Sequence, residues 1–126
     1  MRYLLDSTLL IDHANGDPAA ITLLARLVGE GHDLITCDVV TCEVLSRGRS
    51  EDLRHLDALL ASLEYISTTP DAARWAGASR RARNLAGGKR ALGDALIAGI
   101  AADLQATVVT RNRPDFERQG IPVLDY

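Results

Sequence analysis

Five short apolar segments, each separated from the next by helix-like sequence, constrain the fold of this chain more than any other feature. The predicted strands span residues 2–5, 33–37, 64–67, 107–110 and 120–124. Between them, apolar residues recur at helical spacing. Strands that alternate with helices form a parallel sheet with helices on both faces, an α/β fold. The 126 residues, 47% of them hydrophobic, suit a single domain that spans positions 1–126.

Local signals predict where several helices begin and end. Asp17-Pro18 and Thr69-Pro70 each start a helix, because proline fits the first turn and Thr69 can cap free amide groups. Gly87-Gly88 ends the long helix that follows Thr69. Segment 92–102 is predicted to be a nearly all-apolar helix whose small residues allow close packing against the sheet. Residues 111–116 are interpreted as a polar loop after the fourth strand.

The sequence carries no signal for export, membrane insertion or disulfide bonding. It has no apolar run of about 18 residues and no basic segment followed by a cleavage site. We therefore expect a cytoplasmic protein that does not bind membranes. Cys37 and Cys42 are too few for a disulfide framework and lack the spacing of zinc ligands. Both are interpreted as reduced core residues.

Basic residues are concentrated in one part of a chain whose net charge is −3. The overall charge argues against a protein that coats nucleic acid by bulk electrostatics. Residues 71–93 nevertheless contain six basic residues and one acid, which leaves the remainder of the chain strongly acidic. Such a run is either a solvated helix face or a surface that faces phosphates.

Acidic and amide residues stand in or beside apolar segments at four places. Asp6 follows the first strand, Glu43 lies in the helix after the second, Asp94 heads the apolar helix, and Asn112 and Asp115 follow the fourth strand. Taken alone, Asp6 is better explained as a helix cap, because cap residues are far commoner than catalytic acids. The carboxyl ends of parallel strands meet at one edge, however, and unpaired buried carboxylates cost several kcal/mol. Oxygen ligands alone favour hard divalent ions, so this pattern predicts a Mg²⁺ or Mn²⁺ site.

Four motifs, in order and spacing, resemble the PIN domain of VapC-type toxins. They are Leu4-Leu5-Asp6-Ser7-Thr8, Thr41-Cys42-Glu43-Val44-Leu45, Gly93-Asp94-Ala95-Leu96-Ile97-Ala98, and Val109-Thr110-Arg111-Asn112 with Asp115-Phe116. The resemblance covers residues 2–124 and implies a Rossmann-like, PIN-like parallel sheet. It also implies an endoribonuclease that hydrolyses RNA with metal-activated water and needs Mg²⁺ or Mn²⁺. Such proteins form homodimers and are inhibited when a VapB-type antitoxin inserts its C-terminal segment into or beside the acidic site.

The resemblance assigns roles to individual residues. Asp6, Glu43 and Asp94 correspond to the acids that hold the metal. The fourth position of the family is often Asp but here is Asn112, which offers a carbonyl oxygen without charge, and Asp115 is the alternative acid for that position. Two hydroxyl residues are expected to bind water held by the metal: Ser7 and Thr110. The expected RNA contacts are basic residues of segment 71–93 and of the segment after the fourth strand: Arg80, Arg81, Arg83, Lys89, Arg90, Arg111 and Arg113.

Two other functions remain open on the sequence. A metal-dependent phosphatase would use Asp6 as a covalent nucleophile, but the usual second Asp two residues later is Thr8 here. An inactive PIN-like binding module would keep the acids as a docking site, and Asn112 favours this alternative. The leucine-rich segment 39–63 is either core or the surface that contacts the antitoxin.

Overall fold

Five short parallel strands form the central sheet of the protein, whose computed structural model describes all residues from Met1 to Tyr126. The strands are β1 (Arg2–Leu5), β2 (Asp33–Cys37), β3 (Glu64–Ile66), β4 (Thr107–Val109) and β5 (Val123–Leu124). Their order in the sheet is β3-β2-β1-β4-β5, and every neighbouring pair is parallel. The predicted α/β fold with a parallel sheet is therefore confirmed.

Seven helices flank the sheet. They are α1 (Ser7–Ala14), α2 (Pro18–Gly29), α3 (Asp38–Arg47), α4 (Leu53–Ala61), α5 (Pro70–Leu85), α6 (Leu92–Leu104) and α7 (Arg113–Arg118), and a 3₁₀ turn (Ser50–Asp52) precedes α4. Both predicted helix starts are present: the Asp17 carboxylate caps α2 by accepting hydrogen bonds from the amides of Ala19 and Ala20. Thr69 Oγ1 likewise accepts a hydrogen bond from the Ala72 amide at 3.1 Å.

The strand order creates a switch point beside β1. From β1 the chain adds β2 and β3 on one side, then returns to add β4 and β5 on the other. The residues that leave β1 and β4 therefore lie next to each other, and the Asp6 amide donates to the Val109 carbonyl at 3.0 Å. A switch point at the carboxyl edge of a parallel sheet is the usual place for a ligand in such folds.

Helices α5 and α6 approach each other closely because α6 carries small residues. A methyl group added at Gly99 would lie 2.4 Å from the Ala72 carbonyl oxygen. Helix α6 is buried along most of its length, as its apolar sequence predicts. This packing holds the start of α6, and with it Asp94, in a defined place.

Three local predictions are wrong. Segment 111–116 is not a loop throughout, because α7 begins at Arg113, with Pro114 in its first turn and Phe116 in the core. The last strand contains only Val123 and Leu124. Both cysteines are free thiols, but only Cys37 is buried, while Cys42 is exposed.

The leucine stripe of α4 is part of the core. Leu56 is 0% and Leu60 8% exposed, so neither side chain is free to contact a partner. No helix of the chain has both the length and the apolar character needed to cross a membrane.

Candidate active site

Asp6 lies between the ends of β1 and β4 and is held from several sides. It is 2% exposed and caps α1, its Oδ1 accepting a hydrogen bond from the Ser7 amide at 2.8 Å. Thr110 Oγ1 donates to Oδ2 at 2.7 Å, and Thr8 Oγ1 lies 3.4 Å from the same atom. Burial raises the pKa of Asp6, and these hydrogen bonds offset part of the effect. Asp6 is thus both a helix cap and a member of the acidic site.

Glu43 reaches from α3 to the start of α6. A methyl group added at Gly93 would lie 2.7 Å from Glu43 Oε2, so the missing side chain at Gly93 leaves room for this carboxylate. Glu43 Oε1 is buried and has no hydrogen-bond partner. Burial raises the pKa of Glu43, and the negative charge of Asp6 raises it further.

Asp94 stands in the first turn of α6 and completes the group. Asn112 Nδ2 donates to Asp94 Oδ2 at 3.2 Å. Burial raises the pKa of Asp94, and the neighbouring Asp115 carboxylate and the charges of Asp6 and Glu43 raise it further, to about 7. A helix N-terminus normally favours an ionised carboxylate. Here burial and the crowding of like charges outweigh that preference.

Asn112 and Asp115 approach the same group from the start of α7. The Asn112 amide donates to Thr110 Oγ1 at 2.9 Å, which ties this segment to the hydroxyl that binds Asp6. Asp115 Oδ1 lies 3.6 Å from Arg90 Nε, and Asp115 Oδ2 is buried without a hydrogen-bond partner. The structure therefore brings together all five residues that the sequence selected.

The two hydroxyl residues also line this site, at its buried side. Ser7 is 2% exposed and within hydrogen-bonding reach of Glu43. Thr110 is fully buried and binds Asp6 directly. The observed role of Thr110 is to orient the Asp6 carboxylate.

The donor set suits a hard divalent cation. All potential ligands are oxygen atoms, two of which, on Glu43 and Asp115, are buried and unpaired. A cation would relieve the repulsion that raises the pKa values of Glu43 and Asp94, and it would offset the buried charge of Asp6. In this arrangement no three Asp, Glu, His or Cys side chains are grouped so that they could hold a metal ion.

Residues 3–121 match the PIN domain family. The chain belongs to the PIN-domain family. Ribonuclease VapC19 of Mycobacterium tuberculosis is 34% identical to it over 111 residues, which are 86% of this chain and 87% of the relative. Two solved complexes share the fold. VapBC2 from Rickettsia felis, bound to a fragment of promoter DNA, aligns with a TM-score of 0.85 at 23% identity, covering 100% of this chain and 99% of the other. DNA-bound VapBC from Salmonella typhimurium aligns with a TM-score of 0.82 at 23% identity, covering 99% and 98%.

The basic residues of segment 80–90 in this PIN domain differ in their exposure to solvent. Arg80, Arg81 and Lys89 are exposed and form no ion pair, and Arg83 is half-buried. Arg90, which we expected to contact RNA, is buried and donates to the Ser79 carbonyl and hydroxyl. Little of the Arg90 side chain is therefore accessible to RNA.

The two arginines that follow β4 are engaged in ion pairs. Arg111 pairs with Asp17 at 2.7 Å and lies 3.5 Å from Asp12, and its guanidinium sits over the Tyr126 ring. Arg113 pairs with Glu117 at 2.5 Å. RNA would have to compete with these carboxylates for both side chains.

Arg47 of this PIN domain is a neighbour of the acids that sequence reasoning missed. Its positive charge lowers the pKa values of Asp6 and Glu43 and so opposes the effect of burial. Its position four residues after Glu43, on the same face of a helix, is the signal that could have identified it.

Proposed function

We propose that this PIN domain is an endoribonuclease dependent on Mg²⁺ or Mn²⁺, the VapC-type toxin of a toxin–antitoxin pair. The main support for this function is that Asp6, Glu43 and Asp94 come from three different elements and converge at the switch point of the sheet. A relative at 34% identity that bears the name ribonuclease supports the same function.

In this proposal, Asp6, Glu43 and Asp94 hold the divalent ion. When bound, the ion supplies a Lewis acid that activates water and offsets charge on the phosphate. Asp6 is the fixed member, because Thr110 and the Ser7 amide hold its two oxygen atoms. Glu43 is the adaptable member, with one oxygen free of hydrogen bonds.

The remaining site residues position the acids and the RNA. Asn112 orients Asp94 through its amide nitrogen. The exposed and half-buried basic residues around the end of α5 are the proposed phosphate contacts, since they carry no competing carboxylate. They are Arg80, Arg81, Arg83 and Lys89. Replacing any one of them with Ala should weaken RNA binding and reduce its dependence on salt.

The test is RNA cleavage by purified protein with Mg²⁺ or Mn²⁺, compared among matched Asp→Asn variants. We expect Asp6→Asn and Asp94→Asn to lose cleavage by at least about a hundredfold. Asp57→Asn makes the same chemical change on the exposed face of α4 and should cleave like the parent, which controls for contaminating ribonucleases. Equal cleavage by all of these proteins would refute the proposal.

We propose a groove beside α4 as the docking site for an apolar segment of the antitoxin. It has a volume of about 450 Å³, lies between α1, α2, β2 and α4, and is lined mainly by apolar residues that include Leu10, Leu24, Val28 and Leu59. The VapBC complexes that share the fold support an antitoxin as the occupant. We further expect a short reading frame, encoding a protein with a DNA-binding N-terminus, immediately upstream of this gene.

Val28 offers the sharpest test of the groove, because it is 62% exposed and its substitution should not unfold the protein. Val28→Glu should weaken antitoxin binding by about tenfold or more, since it places a charge in an apolar contact. Leu85→Glu, at an exposed position of α5, is the matched control and should bind normally. Unchanged binding by Val28→Glu would exclude this groove.

The proposed homodimer should appear in light scattering as twice the 13.6 kDa chain mass.

An inactive binding module is the second candidate, favoured by Asn112 at the position where the family often has Asp. It predicts that calorimetric titration with Mg²⁺ produces no heat of site binding. Heat that is lost in Asp6→Asn would exclude this candidate.

A further inference from the structure

Arg90 is the one basic side chain that this protein buries, and it forms an ion pair with Asp115 of the acidic site. Its side chain is 6% exposed. A buried cation costs several kcal/mol unless opposite charge and hydrogen bonds compensate it. Arg90 precedes α6, which carries Asp94, by two residues. The way in which the positive charge of Arg90 is neutralised therefore affects the net charge of the acidic site.

The contacts of Arg90 aim the guanidinium at Asp115. One end is fixed on α5, where Arg90 Nη1 donates to the Ser79 carbonyl at 3.1 Å and to the Ser79 hydroxyl at 2.9 Å. Nε makes no hydrogen bond and lies 3.6 Å from Asp115 Oδ1. Ser79 also donates to Gln119 at 2.8 Å, and Gln119 Nε2 lies 3.4 Å from the Asp115 carbonyl oxygen. Helices α5 and α7 thus hold the ion pair from both sides.

A second divalent ion in this site would need Asp115. Asp6, Glu43 and Asp94 are the proposed ligands of the first ion, and Asn112 brings no charge. Asp115 is the one acid left in the group, and a fixed guanidinium already faces it. A second cation would have to approach that positive charge within a buried site, where screening by water is weak.

We propose that the Arg90 guanidinium takes the place of a second cation, so that the site holds a single divalent ion. The inference rests on the proposed function, because it presupposes that the acids bind a metal. Arg90 is then a positioning residue that keeps Asp115 out of the metal-ligand set. Asp115 becomes the counter-ion of Arg90.

The test is the stoichiometry of Mn²⁺ binding to the full chain, measured by calorimetry and by the electron paramagnetic resonance signal of free Mn²⁺. We expect one ion per chain in the parent and two in Arg90→Gln, where Asp115 is released. Arg90→Lys keeps the positive charge and should remain at one. Two ions in the parent, or one ion in folded Arg90→Gln, would overturn the inference.

A second variant keeps the inference testable if Arg90→Gln does not fold. The double variant Arg90→Gln/Asp115→Asn removes both charges together and leaves no buried ion unpaired. We expect it to bind one Mn²⁺ with an affinity within about tenfold of the parent, because neither residue is a ligand. A larger loss of affinity, comparable to that of Asp94→Asn, would make Asp115 a ligand and overturn the inference.

Failure of this inference differs visibly from failure of the proposed function. A parent protein that binds two Mn²⁺ ions and cleaves RNA refutes the role of Arg90 alone. A parent protein that binds no Mn²⁺ and cleaves no RNA refutes both.

Discussion

Replacing Asp94 by Asn should stabilise the metal-free protein at neutral and alkaline pH. The pKa of Asp94 rises from its ordinary value of 3.8 to about 7 in the folded state. Between these pH values the folded protein binds more protons than the unfolded chain, so the free energy of unfolding falls as pH rises. The contribution of Asp94 to the free energy of unfolding is fully present below about pH 4 and is lost as the pH rises through about 7. The asparagine of the variant has no charge to bury.

The size of the effect follows from the pKa change and the exposure of the side chain. Without a reduction for solvent screening, a pKa raised from 3.8 to about 7 corresponds to about 4 kcal/mol of stability. Asp94 is only partly buried, and solvent screening reduces that figure to about 1–2 kcal/mol. The hydrogen bond from Asn112 can persist, because the new amide oxygen also accepts. For a domain of this size the gain corresponds to a rise in Tm of about 3–8 °C.

The assay is thermal or urea unfolding in EDTA at pH 8 and at pH 5, with Asp57→Asn as the control for an exposed acid. The advantage of Asp94→Asn should be largest at pH 8 and only about a third as large at pH 5, because the loss of stability in the parent accumulates between pH 3.8 and about 7. Adding Mn²⁺ at pH 8 should reverse the order, because a ligand stabilises only the protein that binds it. A variant less stable than the parent at pH 8 in EDTA, or an advantage as large at pH 5, would refute the reasoning.

Two further substitutions separate site geometry from stability. Gly93→Ala should lower RNA cleavage and Mn²⁺ affinity by about 10–100-fold, because the new methyl group displaces the Glu43 carboxylate, while unfolding changes by less than about 1 kcal/mol. Gly77→Ala, which meets nothing within 4 Å, should leave both unchanged, and a loss of activity there would contradict the steric explanation. Thr110→Val should weaken Mn²⁺ binding about tenfold by removing the hydrogen bond to Asp6, and Thr110→Ser should restore it. Normal Mn²⁺ affinity in Thr110→Val would show that Asp6 needs no such support.

Much of the fold could be predicted because its signals are local. The period of apolar residues, the proline-containing helix starts and the Gly87-Gly88 pair depend on neighbours in sequence. The error at 111–116 arose because polar residues and Pro114 are common both to loops and to the first turn of a helix. Burial of Phe116 in the core decided in favour of the helix.

For the candidate site, the sequence by itself determined which side chains are available: acids after β1, in α3 and at the start of α6, and an amide where the family often has an acid. Strand order then decided that they meet, because β1 and β4 are adjacent although they lie far apart in the chain. Only the tertiary structure decided the environment of Arg90. Burial and charge pairing depend on packing between α5 and α7, which no local pattern encodes, and so a residue expected at the RNA surface is instead buried between Ser79 and Asp115.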